Sequence, residues 1–317
     1  MNLSSSRGEG MITEFTIKPL VENNRVQQIT LSANVIKTFK EAVTKNWDVQ
    51  SIEYKPFLRF AIADILDDAC QYALGETLRD ILYDRDQAAF VINYVKTDLG
   101  FNTPNDEKNF YVLFSTAISH LIGIPNHDSM YGSFYARFIV ENKDNSDSYL
   151  RQAHRRLEIH NDGTYVDERT DFVLMMKMDE ENMVGGETTL LHIDDWQDLD
   201  KFYQHPIAKQ PILWGSPKSK NVSTKVSHPI FFEEDENNKP HMLFIDQFAE
   251  PKNMEQGLYL YEMGKSLEAE TNAFSFELQV GAMVVIQNHC WLHGREKFES
   301  HPNLKRELLR QRGHFTN

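Results

Sequence analysis

A chain of 317 residues with 41% hydrophobic content can bury a sizeable core as one elaborated domain, and its two cysteines, Cys70 and Cys290, leave no room for a disulfide framework or a four-cysteine zinc site. The net charge of −14 argues against nucleic acid, which needs a basic surface, so an anionic ligand would need positive charge supplied locally. No apolar run is long enough to span a membrane and the first residues lack the apolar segment of a signal peptide, so a soluble, cytoplasmic protein is expected.

Residues 1–10 read as a flexible tail, and Thr13 to Leu20 as a strand or ordered arm. Ser32 can cap a helix carrying Val35, Ile36, Phe39, Ala42 and Val43 at helical spacing and ending near Trp47. A second helix follows Pro56, with Leu58, Ile62, Ile65, Leu66 and Ala69 on its buried side and Gly75 near its end. Ala88 to Tyr94 reads as a short strand, and Asp106 opens a helix that stops at Gly123. The region 32–123 is therefore expected to be mainly helical.

From Ser129 the pattern turns to strands: Phe134 to Glu141, Leu150 to His160, Asp171 to Met178, Thr188 to His192, Lys225 to Glu233, His241 to Asp246, Phe274 to Val280, Ala282 to Gln287 and Leu308 to Phe315. Short helices are expected at Asp194 to Tyr203 and Gly264 to Thr271, with a charged hairpin turn over Glu233 to Pro240. The expected fold is α+β, a single domain over 1–317: a distorted double-stranded β-helix, or jelly roll, over 129–317 with the N-terminal helical layer packed on it.

Within the strands, His160 and Asp162 stand two apart at the end of Leu157-Glu-Ile-His, so they share a face. An imidazole and a carboxylate projected together supply two ligands of a 2-His-1-carboxylate site, which holds Fe(II) and leaves the other side open. The pair alone is weak, because 12 histidines in an acidic chain make about one such spacing by chance, and His192 and Asp194 form a second. The bland reading is a packed histidine beside a turn aspartate. A distal histidine must complete the set, and His293 follows the buried strand Ala282 to Gln287. Reading His289 and His293 as a helical zinc pair is weaker, since the glutamate of His-Glu-x-x-His is missing. Further on, Arg310 and Arg312 share a strand face; a solvated basic strand is the plain alternative, but two guanidinium forks on one face could hold two carboxylates.

His160-Asn-Asp162, Gly185-Gly-Glu-Thr188 and Val285-Ile-Gln-Asn-His-Cys-Trp-Leu-His293, followed by Arg312, resemble the iron(II)/2-oxoglutarate-dependent oxygenases of the clavaminate synthase-like group. Within that group Glu53-Tyr-Lys-Pro-Phe-Leu-Arg-Phe60, Tyr135-Ala-Arg-Phe138, Asp144-Asn-Ser-Asp-Ser-Tyr-Leu-Arg-Gln152, His160-Asn-Asp-Gly-Thr-Tyr-Val166, Leu174-Met-Met-Lys177 and Arg306-Glu-Leu-Leu-Arg-Gln-Arg-Gly313 are similar to the CsiD-type glutarate 2-hydroxylases. The likeness covers nearly the whole chain, with a poor match in the N-terminal arm. It implies Fe(II) on His160, Asp162 and His293, with His192 a non-ligand, and 2-oxoglutarate as cosubstrate with its far carboxylate on Arg312, helped by Thr188. Arg310 is then the candidate for a glutarate carboxylate. The implied reaction uses O2 to convert glutarate into (S)-2-hydroxyglutarate with succinate and CO2 as co-products, in lysine and glutarate catabolism, and the implied assembly is a homotetramer. Two rivals remain: a 2-oxoglutarate oxygenase of another small acid, because fold and cofactor do not fix the prime substrate, and a jelly-roll protein that binds a metal or dicarboxylate without turnover.

Overall fold

The computed structural model describes residues 14–129, 131–141, 155–216 and 225–316. Two short antiparallel strands, β1 (Phe15–Pro19) and β2 (Gln27–Leu31), lead into α1 (Ala33–Asn46). Ser32 caps α1 by accepting the Val35 N–H, and Val35, Ile36, Phe39 and Val43 form its buried stripe. α2 (Val49–Tyr54) and α3 (Phe57–Ala69) follow. α3 ends at Cys70, five residues earlier than Gly75 suggested, because Gln71 and Tyr72 both take positive φ and break the helical path. Gly75 instead sits in the first turn of a separate helix, α4 (Leu74–Tyr83), where an added Cβ would lie 2.9 Å from the Asp67 carboxylate. β3 (Ala89–Tyr94) precedes α5 (Pro104–Ile122), whose cap is Thr103 rather than Asp106. Asp106 is its reciprocal partner in a capping box.

The remaining strands are β4 (Gly123–Pro125), β5 (Ala136–Glu141), β6 (Leu157–His160), β7 (Phe172–Glu181) and β8 (Thr188–His192). After α6 (Leu199–Tyr203) come β9 (Ile212–Gly215), β10 (Lys225–His228), β11 (Phe231–Glu234), β12 (Pro240–Met242) and β13 (Ala249–Glu250). α7 (Met254–Glu268) is followed by β14 (Phe274–Phe276), β15 (Met283–Gln287), β16 (Trp291–Arg295) and β17 (Lys305–Phe315). α7 spans 15 residues and begins at an Asn253 cap, not at Gly264. The expected tail 1–10, the first residues of the strand expected from Leu150, and the segment Asp144 to Gln152 lie outside the described residues.

These elements form a mixed α+β structure with several sheets. The large sheet runs β1-β2-β3-β15-β7-β17-β4, with β5 also on β17; a smaller one runs β14-β8-β16-β6. Alternation sorts the large sheet's side chains. Phe172, Leu174 and Met176 of β7, with Met283 and Val285 of β15, face the helices and pack with α1, α3, α4 and α5 into one cluster. Val173, Val284 and Ile286 face the opposite way and pack with Leu190 and Trp291 of the small sheet. A third cluster fills the outer side of the small sheet, where Leu191 and Leu292 meet α6, α7 and β9 residues such as Phe202, Met263 and Trp214. The space between the two sheets is where inward-facing polar residues gather.

Candidate active site

β6 and β16 are antiparallel neighbours, and their register sets His160 directly across from His293. Opposed residues on adjacent strands hold their Cβ atoms about 5 Å apart, so two distant histidines become neighbours through strand pairing alone; their ring centroids are 4.4 Å apart. Asp162 lies just past the end of β6. Its Oδ1 is 3.7 Å from His160 Nε2 and 3.9 Å from His293 Nε2, and one ligand atom from each of the three falls within 4.8 Å of the others. All three side chains are buried.

The turn that presents Asp162 is held by two buried amides absent from the sequence reading. Asn161 donates to the carbonyls of Asn288 (2.6 Å) and Trp291 (3.1 Å), and its Oδ1 accepts the Phe244 N–H (2.9 Å). Asn288 accepts the Asp162 N–H (3.0 Å) and donates to the carbonyls of Asp162 and Thr170, each at 2.9 Å. Gly163 completes the turn with φ +83°; a Cβ there would sit 2.4 Å from Thr170 Oγ1.

The donor set suits a divalent iron. His160 Nδ1 lies 2.8 Å from the Glu158 carbonyl, to which it can only donate, and this hydrogen bond orients Nε2 toward Asp162. Burial, reinforced by His160, pushes the His293 imidazole down to about 3, so it is neutral and able to ligate. Burial opposes charge on Asp162, but Arg310, with His160, His293 and Arg312, outweighs it and holds the carboxyl well below the ordinary range. Two imidazoles and one carboxylate at a buried point match a 2-His-1-carboxylate site.

His192 and Asp194 are not brought there. His192 spends both ring nitrogens, Nε2 on the Arg85 carbonyl (2.9 Å) and Nδ1 on the Asp194 N–H (3.1 Å), while Asp194 pairs with Arg85 (2.7 Å) and Lys239 (3.0 Å). His289 is buried edge-on against Phe232, with Nδ1 3.8 Å from Asp171.

A pocket between the sheets opens from the three ligands, and four side chains of one face of β17 line it: Arg306, Leu308, Arg310 and Arg312. Arg310 Nη1 is 3.1 Å from Asp162 Oδ2, and both Arg310 and Arg312 reach Asp128 Oδ2, at 3.4 and 3.2 Å. At the other end the Arg306 side chain is buried, and among the described residues its Nε has no hydrogen-bond partner. Burial and the nearby Arg295 push its guanidinium down to about 9, with Glu180 only partly offsetting them. Arg295 and Arg306 both lie over the Phe298 ring, and Arg295 is the cross-strand partner of Thr188, which also lines the pocket. The sequence reading missed Arg306 because it began the last strand at Leu308. Starting it at Lys305 puts Arg306 in phase with Arg310 and Arg312, so alternation could have found it.

The family model described as CsiD matches residues 15–315. A glutarate 2-hydroxylase of Klebsiella pneumoniae (strain 342) is 48% identical over 301 residues, covering 95% of this chain and 90% of that protein. One of Salmonella typhimurium (strain SL1344) is 48% identical over 303 residues, covering 96% and 91%. Among solved structures, asparagine oxygenase in complex with Fe(II), 2S,3S-3-hydroxyasparagine and succinate superposes with a TM-score of 0.71 at 15% identity, over 90% of this chain and 93% of that one. The non-heme iron oxygenase OrfP with Fe and alpha-ketoglutaric acid gives 0.64 at 14% identity, over 90% and 93%. Those structures share the fold, while the whole-length match and the 48% identity establish kinship: the chain belongs to the CsiD family.

Proposed function

We propose that this protein is a glutarate 2-hydroxylase, converting glutarate to (S)-2-hydroxyglutarate with Fe(II), 2-oxoglutarate and O2 and releasing succinate and CO2. The observation that carries the reading is the buried His160, Asp162 and His293 cluster set in a pocket that has arginines at both ends. The relatives' activity supplies the substrate. When bound, iron(II) would supply the redox chemistry by which O2, the oxidant, takes two electrons from glutarate and two from 2-oxoglutarate. The chain's own contribution is to hold ligands, orient two dicarboxylates and keep the pocket buried.

The binding roles are revised from the sequence expectation. Arg306, buried with no ion-pair partner among the described residues and grouped with Arg295 and Thr188, is the arginine that a carboxylate would relieve most, so we assign it the far carboxylate of 2-oxoglutarate. Thr188 keeps its expected role there. Arg312, to which the resemblance had given that carboxylate, shares Asp128 with Arg310, and the two together are assigned to a glutarate carboxylate. Arg306 and Arg310 are four residues apart on a strand, roughly 13 Å along the backbone, which leaves room for two separate ligands. Titrating each ligand into Arg306→Met and Arg310→Met tests the split, because the reading requires each variant to lose a different one.

The remaining expectations join the proposal. The two larger sheets form the walls of a distorted double-stranded β-helix, with α1 to α5 as its flanking layer, in one domain. The protein acts in the cytoplasm as a homotetramer on a small dicarboxylate, without nucleic acid or membrane. No described helix is long and apolar enough to cross a membrane. Sedimentation at working concentration tests the tetramer.

A further inference from the structure

Asp128 belongs neither to the metal cluster nor to the sheets. It sits in the connection between β4 and β5, buried, in a tight turn where its N–H donates to the Ser133 carbonyl (2.7 Å) and its own carbonyl accepts the Gly132 N–H (2.8 Å). Its Oδ1 accepts the Tyr131 N–H at 3.3 Å. Its Oδ2 faces the pocket arginines, 3.2 Å from Arg312 Nη2 and 3.4 Å from Arg310 Nη2. The side chain is thus anchored through one oxygen by the turn, while the other stands between two guanidinium groups as a ligand carboxylate would.

Among the described residues, two guanidiniums and one carboxylate leave a single net positive charge at this end of the pocket, the complement of one carboxylate. Asp162 is counted with the metal it would hold. Without Asp128 the same end would carry two positive charges in a partly water-excluded space, where each unit of charge weighs heavily, and would favour a doubly charged end group. We infer that Asp128 selects the charge of the substrate's end group, tuning the Arg310 and Arg312 pair to a carboxylate and against dianions of similar length such as phosphonates. The inference rests on the reading that those two arginines receive glutarate. It also differs from a role as a mere prop, since a prop would support every anion alike.

The test is titration calorimetry on oxygen-free protein loaded with Fe(II) and 2-oxoglutarate, comparing glutarate with 4-phosphonobutanoate at a pH where the phosphonate is doubly ionised. The wild type is expected to prefer glutarate. Asp128→Asn keeps an acceptor for the Tyr131 N–H but removes the charge, and should shift the preference toward the phosphonate by more than about tenfold. Asp128→Glu, which keeps the charge, should retain the wild-type preference even if both affinities fall. An unchanged preference in Asp128→Asn, or equal weakening of both ligands, overturns the inference. Arg310→Met in the same titration separates the two layers. If it binds glutarate like the wild type, the assignment of the arginines fails and the selector with it; if it loses glutarate while Asp128→Asn keeps the wild-type preference, only the selector fails.

Discussion

His293 and His192 are both buried histidines with an aspartate nearby, and the fate of their ring nitrogens distinguishes them. His192 has no free lone pair, because Nε2 is committed to the Arg85 carbonyl and Nδ1 to the Asp194 N–H. His160 and His293 turn Nε2 toward Asp162. Removing a ligand should cost at least what loss of an outer-shell partner does, so His293→Ala should weaken Fe(II) binding by about a hundredfold or more. His192→Ala should leave it nearly unchanged, and an oxygen-free iron titration distinguishes the two. The arginines make a second contrast. Losing one charge-assisted carboxylate contact costs on the order of 2 to 4 kcal/mol, so Arg306→Met should remove succinate formation with or without glutarate. Arg310→Met should keep a slow conversion of 2-oxoglutarate to succinate uncoupled from hydroxylation. Loss of all succinate in Arg312→Met with activity surviving in Arg306→Met would return the cosubstrate to Arg312.

At the scale of elements, the site depends on β6 and β16 pairing in one register and on a turn that cannot drift. Asn288 supplies the turn's restraint through three hydrogen bonds, so Asn288→Ala leaves buried backbone groups of Asp162 and Thr170 unpaired. A loss of about 3 kcal/mol is expected in denaturant unfolding, together with weaker iron binding, while Asn288→Asp should recover only part of either. Buried histidines give the folded state a pH limit. Burial pushes His192 down to about 4 and His289 to about 3, below the ordinary value of 6.5. The unfolded chain therefore takes up these protons first as pH falls. Stability is full above 6.5 and declines through the window down to those folded values. Thermal melts of the apoprotein across that window should show the decline, and His192→Gln should flatten it; a flat wild-type profile contradicts the burial argument. Much of this level was legible in the sequence. Ser32 and Gly123 fell where capping put them, the Thr188 to His192 strand where its threonine and leucine run put it, and the His160 and Asp162 spacing identified two of the cluster's three residues. The β16 strand was missed, because Trp291 to Arg295 holds no β-branched residue and is interrupted by Gly294. Asp128, Asn161 and Asn288 were missed because their roles exist only through partners far along the chain.

For the whole molecule, the net charge of −14 sets the terms on which a dicarboxylate is bound. The surface field repels anions, so the positive charge of Arg295, Arg306, Arg310 and Arg312 is gathered inside one pocket, where it acts at short range. Anchors fixed on a single strand also act as a ruler. Glutarate should be preferred over succinate and adipate, which cannot satisfy both the arginine pair and the position near the metal cluster; comparable hydroxylation of adipate at matched concentration would contradict the ruler. With these groups in place the pocket couples consumption of 2-oxoglutarate to hydroxylation of glutarate. Its most direct test is to reconstitute the protein with Fe(II) without oxygen, add 2-oxoglutarate with and without glutarate, admit oxygen, and quantify succinate and 2-hydroxyglutarate. The two products are expected in equal amounts when glutarate is present, with far less succinate when it is absent. Iron-loaded protein that forms succinate at the same rate in both cases, with no 2-hydroxyglutarate, would contradict it.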